Sequence, residues 1–193
     1  MARDKYLETF IEARALLEGH FILTSGLHSP RYLQCALVLQ DPKLAGRLCK
    51  ALARQIKALE VETVIGPALG GIVVAYEMAR ALGARGLFAE RKEKQMELRR
   101  GFAIQPGERV LLVEDVVTTG GSLREVRELV QAAGGQVVAV ASLVDRTSGR
   151  DPEFGVPFFS LLKIGVPTYE PADCPLCREG LPLVKPGSRK QQA

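Results

Sequence analysis

The period of the apolar positions changes several times along the chain, and each change marks an element. From Tyr6 to Leu17, the residues Leu7, Phe10, Ile11, Ala13, Leu16 and Leu17 recur at helical spacing. This predicts an amphipathic helix that Gly19 ends. From His20 to Leu39 that period is absent. Thr24-Ser25-Gly26, Ser29-Pro30 and short apolar runs predict hairpin-like strands and turns instead. Asp41-Pro42 opens a second helix running to about Leu59, with Asp41 as N-cap and Pro42 at the first helical position.

Beyond it the pattern alternates. Thr63–Gly66, Gly86–Glu90, Arg109–Glu114 and Val137–Val144 read as strands, and Phe158–Leu162 as a further one. Gly70–Leu82 and Ser122–Ala133 read as helices between them. This βαβαβ rhythm predicts an α/β fold, a central parallel sheet with helices on both faces. Residues 91–107 are polar and long for a connection between strands, which predicts a mobile loop. The end, from Pro182 onward, is expected to fray.

Composition narrows the class without naming a function. The 193 residues favour a single domain, large enough to bury a core without covalent staples. Hydrophobic residues at 47% and charged residues at 25% are an ordinary globular balance, and no apolar stretch could span a bilayer. Met1-Ala2-Arg3-Asp4-Lys5 lacks a signal-peptide core, so a cytoplasmic location is expected. A net charge of +4 permits nucleic-acid binding, but a phosphate-rich small substrate accounts for it equally well.

The four cysteines are Cys35, Cys49, Cys174 and Cys177. Cys174-Pro175-Leu176-Cys177 is one CxxC pair. A tetrahedral zinc site needs four ligands, there is no second CxxC, and His20 and His28 are distant in sequence. The expectation is therefore structural thiols, ahead of a metal site or redox work.

The densest chemistry lies in Val110-Leu111-Leu112-Val113-Glu114-Asp115-Val116-Val117-Thr118-Thr119-Gly120-Gly121-Ser122. An apolar strand ends in two adjacent carboxylates, and a turn rich in hydroxyls and glycine leads into a helix. Paired acids at a strand end are costly unless they hold hydroxyls, a metal or a basic partner. The turn offers backbone N–H groups at a helix start, which favours a phosphate. Neither a Walker A loop nor a GxGxxG fingerprint is present. A plain strand–turn–helix joint with Ser122 as N-cap would need neither the paired acids nor the paired threonines. The pattern therefore points to a phosphorylated sugar.

This segment resembles the thirteen-residue signature of type I phosphoribosyltransferases, which bind 5-phosphoribosyl-1-diphosphate. The resemblance implies that Glu114 and Asp115 hold the ribose hydroxyls, and that Val116, Val117, Thr118, Thr119, Gly120, Gly121 and Ser122 surround the 5′-phosphate. Three further segments resemble the orotate members of that family. Phe21 to Tyr32 is similar to their N-terminal hood, here residues 1–40. Gly66-Pro67-Ala68-Leu69-Gly70-Gly71 is similar to their diphosphate loop, with Leu69 and Gly70 toward the substrate. Asp145-Arg146 matches the pair whose arginine holds the orotate carboxylate.

The residues thus implied for orotate are Arg146, Thr118, Ser25, Gly26 and Tyr32. A guanidinium fork binding a carboxylate in two places fits the first of these. The resemblance also implies a homodimer. Mg²⁺ is expected to be held mainly through the substrate and water, as this ion prefers, with Asp115 a candidate contact and no dedicated protein cage. A catalytic lysine should lie in the loop, and Lys94 is favoured, with Arg91 and Lys92 in support. The chain departs from many members in carrying Thr24 rather than lysine before Ser25-Gly26, no lysine in the diphosphate loop, and no histidine in the mobile loop. Two other readings share the phosphate site: transfer to a purine or to uracil, and a non-catalytic sensor of phosphoribosyl diphosphate that binds nucleic acid. Arg146 and the hood weigh against the first; the lack of a helix-turn-helix or zinc-finger pattern weighs against the second.

Overall fold

The computed structural model describes residues 4–23, 25–93 and 95–186. Thr24 and Lys94 lie outside the described residues. In chain order the elements begin with α1 (Lys5–Glu12), β1 (Leu16–Ile22), β2 (His28–Leu33), α2 (Ala36–Leu39) and α3 (Pro42–Ile56). There follow β3 (Thr63–Pro67), α4 (Gly70–Leu82), β4 (Arg85–Lys92), β5 (Gln95–Glu97), β6 (Arg109–Val117), α5 (Gly121–Ala132), β7 (Gln136–Asp145) and β8 (Phe158–Lys163). The described chain closes with α6 (Pro175–Arg178) and β9 (Leu183–Val184). Two compact units result: Met1–Val38 with Gly165–Ala193, and Leu39–Ile164.

The larger unit is built on one sheet with strand order β5-β4-β3-β6-β7-β8. Strands β4, β3, β6, β7 and β8 are parallel, and β5 alone runs antiparallel, against β4. Starting from β3, the chain crosses through α4 to β4 on one side. It then returns past β3 to β6 and continues through α5 to β7 on the other. Right-handed crossovers running in opposite directions must put their helices on opposite faces. Accordingly α4 packs on β3, β4 and β6 with α3 beside it, whereas α5 packs on β3, β6 and β7.

Both faces of the central strands are covered, so they read as continuous apolar runs. Val64, Ile65, Leu111, Leu112, Val140 and Leu143 have no solvent exposure, and each such side chain contributes about 1.5–3 kcal/mol relative to an exposed one. Helix α3 starts as its sequence predicts: Asp41 Oδ1 accepts from the N–H of Lys43 at 2.8 Å and of Leu44 at 3.3 Å.

The smaller unit holds α1 and a three-stranded sheet of order β2-β1-β9. Here the structure corrects two expectations. Leu16 and Leu17 belong to β1, because α1 stops at Glu12 and Arg14 takes a positive φ of 53° that turns the chain. The stretch after Pro182 does not fray at once: Leu183 and Val184 pair in parallel with His20 and Phe21, using the edge of β1 that β2 leaves open. The hood-like hairpin therefore includes a returning C-terminal segment.

Candidate active site

Strands β3 and β6 are neighbours whose following helices leave toward opposite faces. Such a switch point opens a crevice beyond the strands' C-terminal ends, where ligands of open α/β sheets bind. The two turns flanking it, Ala68–Leu69 and Thr118–Gly120, are the segments singled out from sequence.

The β6–α5 turn is shaped by Gly120. Its φ is +75°, and a Cβ there would sit 2.8 Å from the Phe154 ring. Both the left-handed backbone and the close ring require glycine. No side chain caps α5, so the N–H groups of its first turn face outward for an anion. Gly120, not Ser122, occupies the N-cap, so the plain joint with a serine cap, set aside from sequence, is not what forms here. Thr118 and Thr119 are exposed, and Gly121 and Ser122 are half-buried. Arg124 was missed from sequence: its Nη1 donates to Thr119 O at 2.7 Å and Pro152 O at 2.9 Å, tying the turn to the segment that carries Phe154. Its only signal is position, in the first turn of the helix after the glycines.

The acids do not end the strand, as their sequence suggests. β6 continues through Val116 and Val117, which pair with Val144 and Asp145 of β7. β-branched residues fit this pairing. Successive strand residues face opposite sides, so Glu114 and Asp115 flank β6 from its two faces. Asp115 lies against the start of α4, where a Cβ on Gly70 would come within 2.7 Å of its Oδ2. Glycine at 70 is thus what lets the diphosphate-loop turn approach the acid. Desolvation pushes the Asp115 carboxyl above its ordinary range, while the N–H of Val116, at 2.9 Å, and its own backbone N–H pull it back down. Leu69 is 73% exposed beside this turn, the Ala68–Leu69 peptide is cis, and α4 likewise has no side-chain cap.

Arg146 follows β7 directly, and its N–H donates to Val117 O at 2.8 Å. The β6–β7 register therefore sets Arg146 beside the entry to the phosphate turn and Thr118. Asp145 Oδ1 accepts from Thr147 N at 2.8 Å and holds the turn that carries the arginine.

The segment expected as a mobile loop is partly ordered strand. β4 reaches Lys92, and Arg91 and Lys92 pair with Met96 and Gln95 of β5. Met96 and Ile104 are buried in the core cluster, with Leu98 and Phe102 packed against it. These apolar anchors, interleaved with charge, explain why the polar average misled. Arg91 Nη2 bonds Glu125 Oε1 of α5 at 2.6 Å; Lys92 is exposed. Lys94 lies outside the described residues.

In the smaller unit, Ser25 and Gly26 form the β1–β2 turn. There the Gly26 N–H donates to Leu23 O at 3.0 Å and Gly26 has φ +85°. Tyr32 is half-buried and packs on Phe21 of the same hairpin, centroids 5.9 Å apart.

A switch-point crevice with two uncapped helix starts, an acid between them and an arginine one strand away has the chemistry to receive anions and hydroxyls. The chain belongs to the phosphoribosyl transferase domain family, whose profile matches residues 38–167. It is 62% identical over 183 residues to the orotate phosphoribosyltransferase of Carboxydothermus hydrogenoformans, covering 94% of this chain and 95% of that one. It is 54% identical over 191 residues to the orotate phosphoribosyltransferase of Caldicellulosiruptor bescii, covering 99% and 100%. Among solved structures, the orotate phosphoribosyltransferase of Aeropyrum pernix superposes with a TM-score of 0.65 at 28% identity, covering 82% of this chain and 93% of that one. The resemblance read from the signature, hood and Asp145-Arg146 holds at the level of family and fold.

Proposed function

We propose that this protein transfers the phosphoribosyl group of 5-phosphoribosyl-1-diphosphate to orotate, giving orotidine 5′-monophosphate and diphosphate for pyrimidine nucleotide synthesis. The observation that carries the base is Arg146, held by the β6–β7 register beside the phosphate turn. Its guanidinium matches a planar anion bearing a carboxylate. The relatives named above support the same substrate.

In this reading a ring nitrogen of orotate bonds to C1′ as the C1′–oxygen bond breaks, and the electron pair leaves on diphosphate. The chain needs few proton donors for this. It needs positioning and positive potential aimed at the leaving group. The α5 start holds the 5′-phosphate, and the α4 start with Leu69 and Gly70 faces the diphosphate. Asp115 and Glu114 hold the ribose hydroxyls. Arg146, Thr118, Ser25, Gly26 and Tyr32 hold the base. Lys94, supported by Lys92 and Arg91, meets the diphosphate when the β4–β5 hairpin closes and excludes water. For Arg91 this means giving up its pairing with Glu125.

Asp115 also suits Mg²⁺, being a hard oxygen donor whose charge burial leaves uncompensated. Asp115 would hold such an ion on the protein side, and the ion would neutralise diphosphate charge. Leu69, Val73 and Tyr76 make an exposed apolar stripe at helical spacing, 73%, 39% and 66% accessible. The stripe supports a homodimer, for which two-fold pairing is the default. Among the described residues no helix is long and apolar enough to cross a membrane.

The test is product formation from phosphoribosyl diphosphate and Mg²⁺ with a panel of bases. Orotate should be turned over and hypoxanthine and uracil left untouched. The opposite pattern rejects the base assignment but keeps the fold's phosphate site.

A further inference from the structure

Four residues that the proposed reaction does not use converge in the smaller unit. His20 on β1, His28 at the start of β2, and Cys174 and Cys177 around α6 each offer one ligand atom, all within 4.8 Å of one another. His20 Nε2 lies 3.0 Å from His28 Nδ1, 3.6 Å from Cys174 Sγ and 3.7 Å from Cys177 Sγ. Cys177 Sγ lies 3.2 Å from His28 Nδ1. A tetrahedral zinc ion with bonds of about 2.0 Å to nitrogen and about 2.3 Å to sulfur sets N–N edges near ~3.3 Å and N–S edges near ~3.5 Å. The N–S edges of 3.2, 3.6 and 3.7 Å bracket their value and the N–N edge of 3.0 Å falls a little short, so small shifts of the side chains suffice. We propose that His20 Nε2, His28 Nδ1, Cys174 Sγ and Cys177 Sγ bind one structural Zn²⁺.

The surroundings fit that assignment. His20 Nδ1 lies 2.8 Å from Leu181 O. Donating that N–H fixes the tautomer and turns the Nε2 lone pair toward the cluster, as in the outer shell of zinc-ligating histidines. A bulge between Glu18 and Phe21 puts one extra residue in β1. His20 and Phe21, which a regular strand would point to opposite faces, are consequently both buried. His20, His28 and Cys174 are 3%, 5% and 1% exposed. Two thiolates with two neutral imidazoles exactly offset the charge of a divalent cation, which makes burial of the set affordable. The other two cysteines differ: Cys35 and Cys49 are buried core thiols, and burial, reinforced by Glu77, pushes Cys49 up to about 12.

The same segment that brings both cysteines also supplies the orienting Leu181 carbonyl, the β9 pairing and the Tyr169–His28 bridge. Zinc would clamp this returning segment onto the hairpin across a separation of about 150 residues, where the gain from closing a long loop is large. The CxxC spacing supplies one half of such a site, and the fold brings His20 and His28 to complete it.

The test uses the full-length protein, purified, reduced and stripped of metal by a chelator. Zinc added in slight excess, then desalted, should remain at one ion per chain, and the thermal midpoint should rise with zinc concentration. Co²⁺ should give the intense visible bands of a tetrahedral thiolate site. Cys177→Ser, at an exposed position, should lose retention and the bands, and Cys49→Ala should keep both. Trace retention by the parent, or octahedral Co²⁺ bands, overturns the proposal, as does equal zinc retention by Cys177→Ser. A hydrogen-bonded tetrad holding no ion gives the first of these results. None of these readouts depends on which base is transferred.

Discussion

The two ends of the larger sheet use polar residues in opposite ways. At the N-terminal end, Thr63 opens β3, Arg85 opens β4, and Glu108 precedes β6. Thr63 Oγ1 donates to Glu108 Oε1 while accepting from Arg85 Nε at 3.1 Å. Arg85 Nη2 reaches Glu108 Oε1 at 2.6 Å and Ala103 O at 3.0 Å, and Gln105 N donates to Glu108 Oε2 at 2.7 Å. Every group there finds its partner within the chain. At the C-terminal end two helix starts have no side-chain cap, and Asp115 is desolvated and held by backbone N–H groups. One end uses its polar groups for the fold; the other leaves them open for the ligand proposed above.

The contrast breaks most visibly at Asp115. Asp115→Asn should lower kcat/KM by about 100-fold or more, since the lost interaction acts on the reacting sugar. The melting temperature should be kept or raised, because a poorly compensated carboxylate is gone. Steady-state kinetics beside thermal unfolding checks both halves; lost activity with a collapsed melt would erase the distinction between the ends. Gly120→Ala should disturb function and fold together. It forces a side chain into a left-handed backbone and onto the Phe154 ring, for about 1–3 kcal/mol, with weaker binding of the sugar diphosphate by calorimetry.

Glu108→Gln is the converse. It leaves Arg85 and Thr63 poorly matched and should lose about 1–3 kcal/mol in a denaturant titration, with kcat/KM within roughly threefold of the parent, as expected for a change remote from the chemistry.

The smallest effect is in pH, and the two ends carry opposite signs. Burial works against ionised Glu108, but hydrogen bonds from Thr63, Gln105 and Arg85, with the charge of Arg85, hold it below its ordinary 4.5. Its stabilisation is complete above 4.5 and is lost as pH falls through the lower folded value. Asp115 is raised above its ordinary 3.8. Its folded state binds the proton more tightly, so stability declines as pH rises from 3.8 through the folded value. Unfolding free energies between pH 3 and 7 should flatten in opposite directions for Glu108→Gln and Asp115→Asn.

Legibility from sequence followed the range of the interactions. The limits of α4 and the start of α3 were readable because capping and glycine signals are local, and the phosphate turn because its glycines and hydroxyls are consecutive. Leu16 and Leu17 read as helix because their spacing continues the period of α1 across the turn at Arg14. β5 and β9 are short strands whose partners, not their own residues, define them. The cysteine–histidine cluster was half legible: the CxxC spacing is local, but His20 and His28 meet it only through the pairing of the chain's two ends. Arg146 was readable as an arginine leaving a strand, but its place beside Thr118 depends on the β6–β7 register.

Because the helices after β3 and β6 leave toward opposite faces at the centre of the sheet, the grips proposed for sugar and base belong to separate pieces of chain. The starts assigned to the anions belong to α4 and α5, while Arg146 sits one strand farther out, at the tip of β7. Selectivity is thereby modular: the tip of β7 can be re-specified for a different acceptor without rebuilding the machinery that holds the donor.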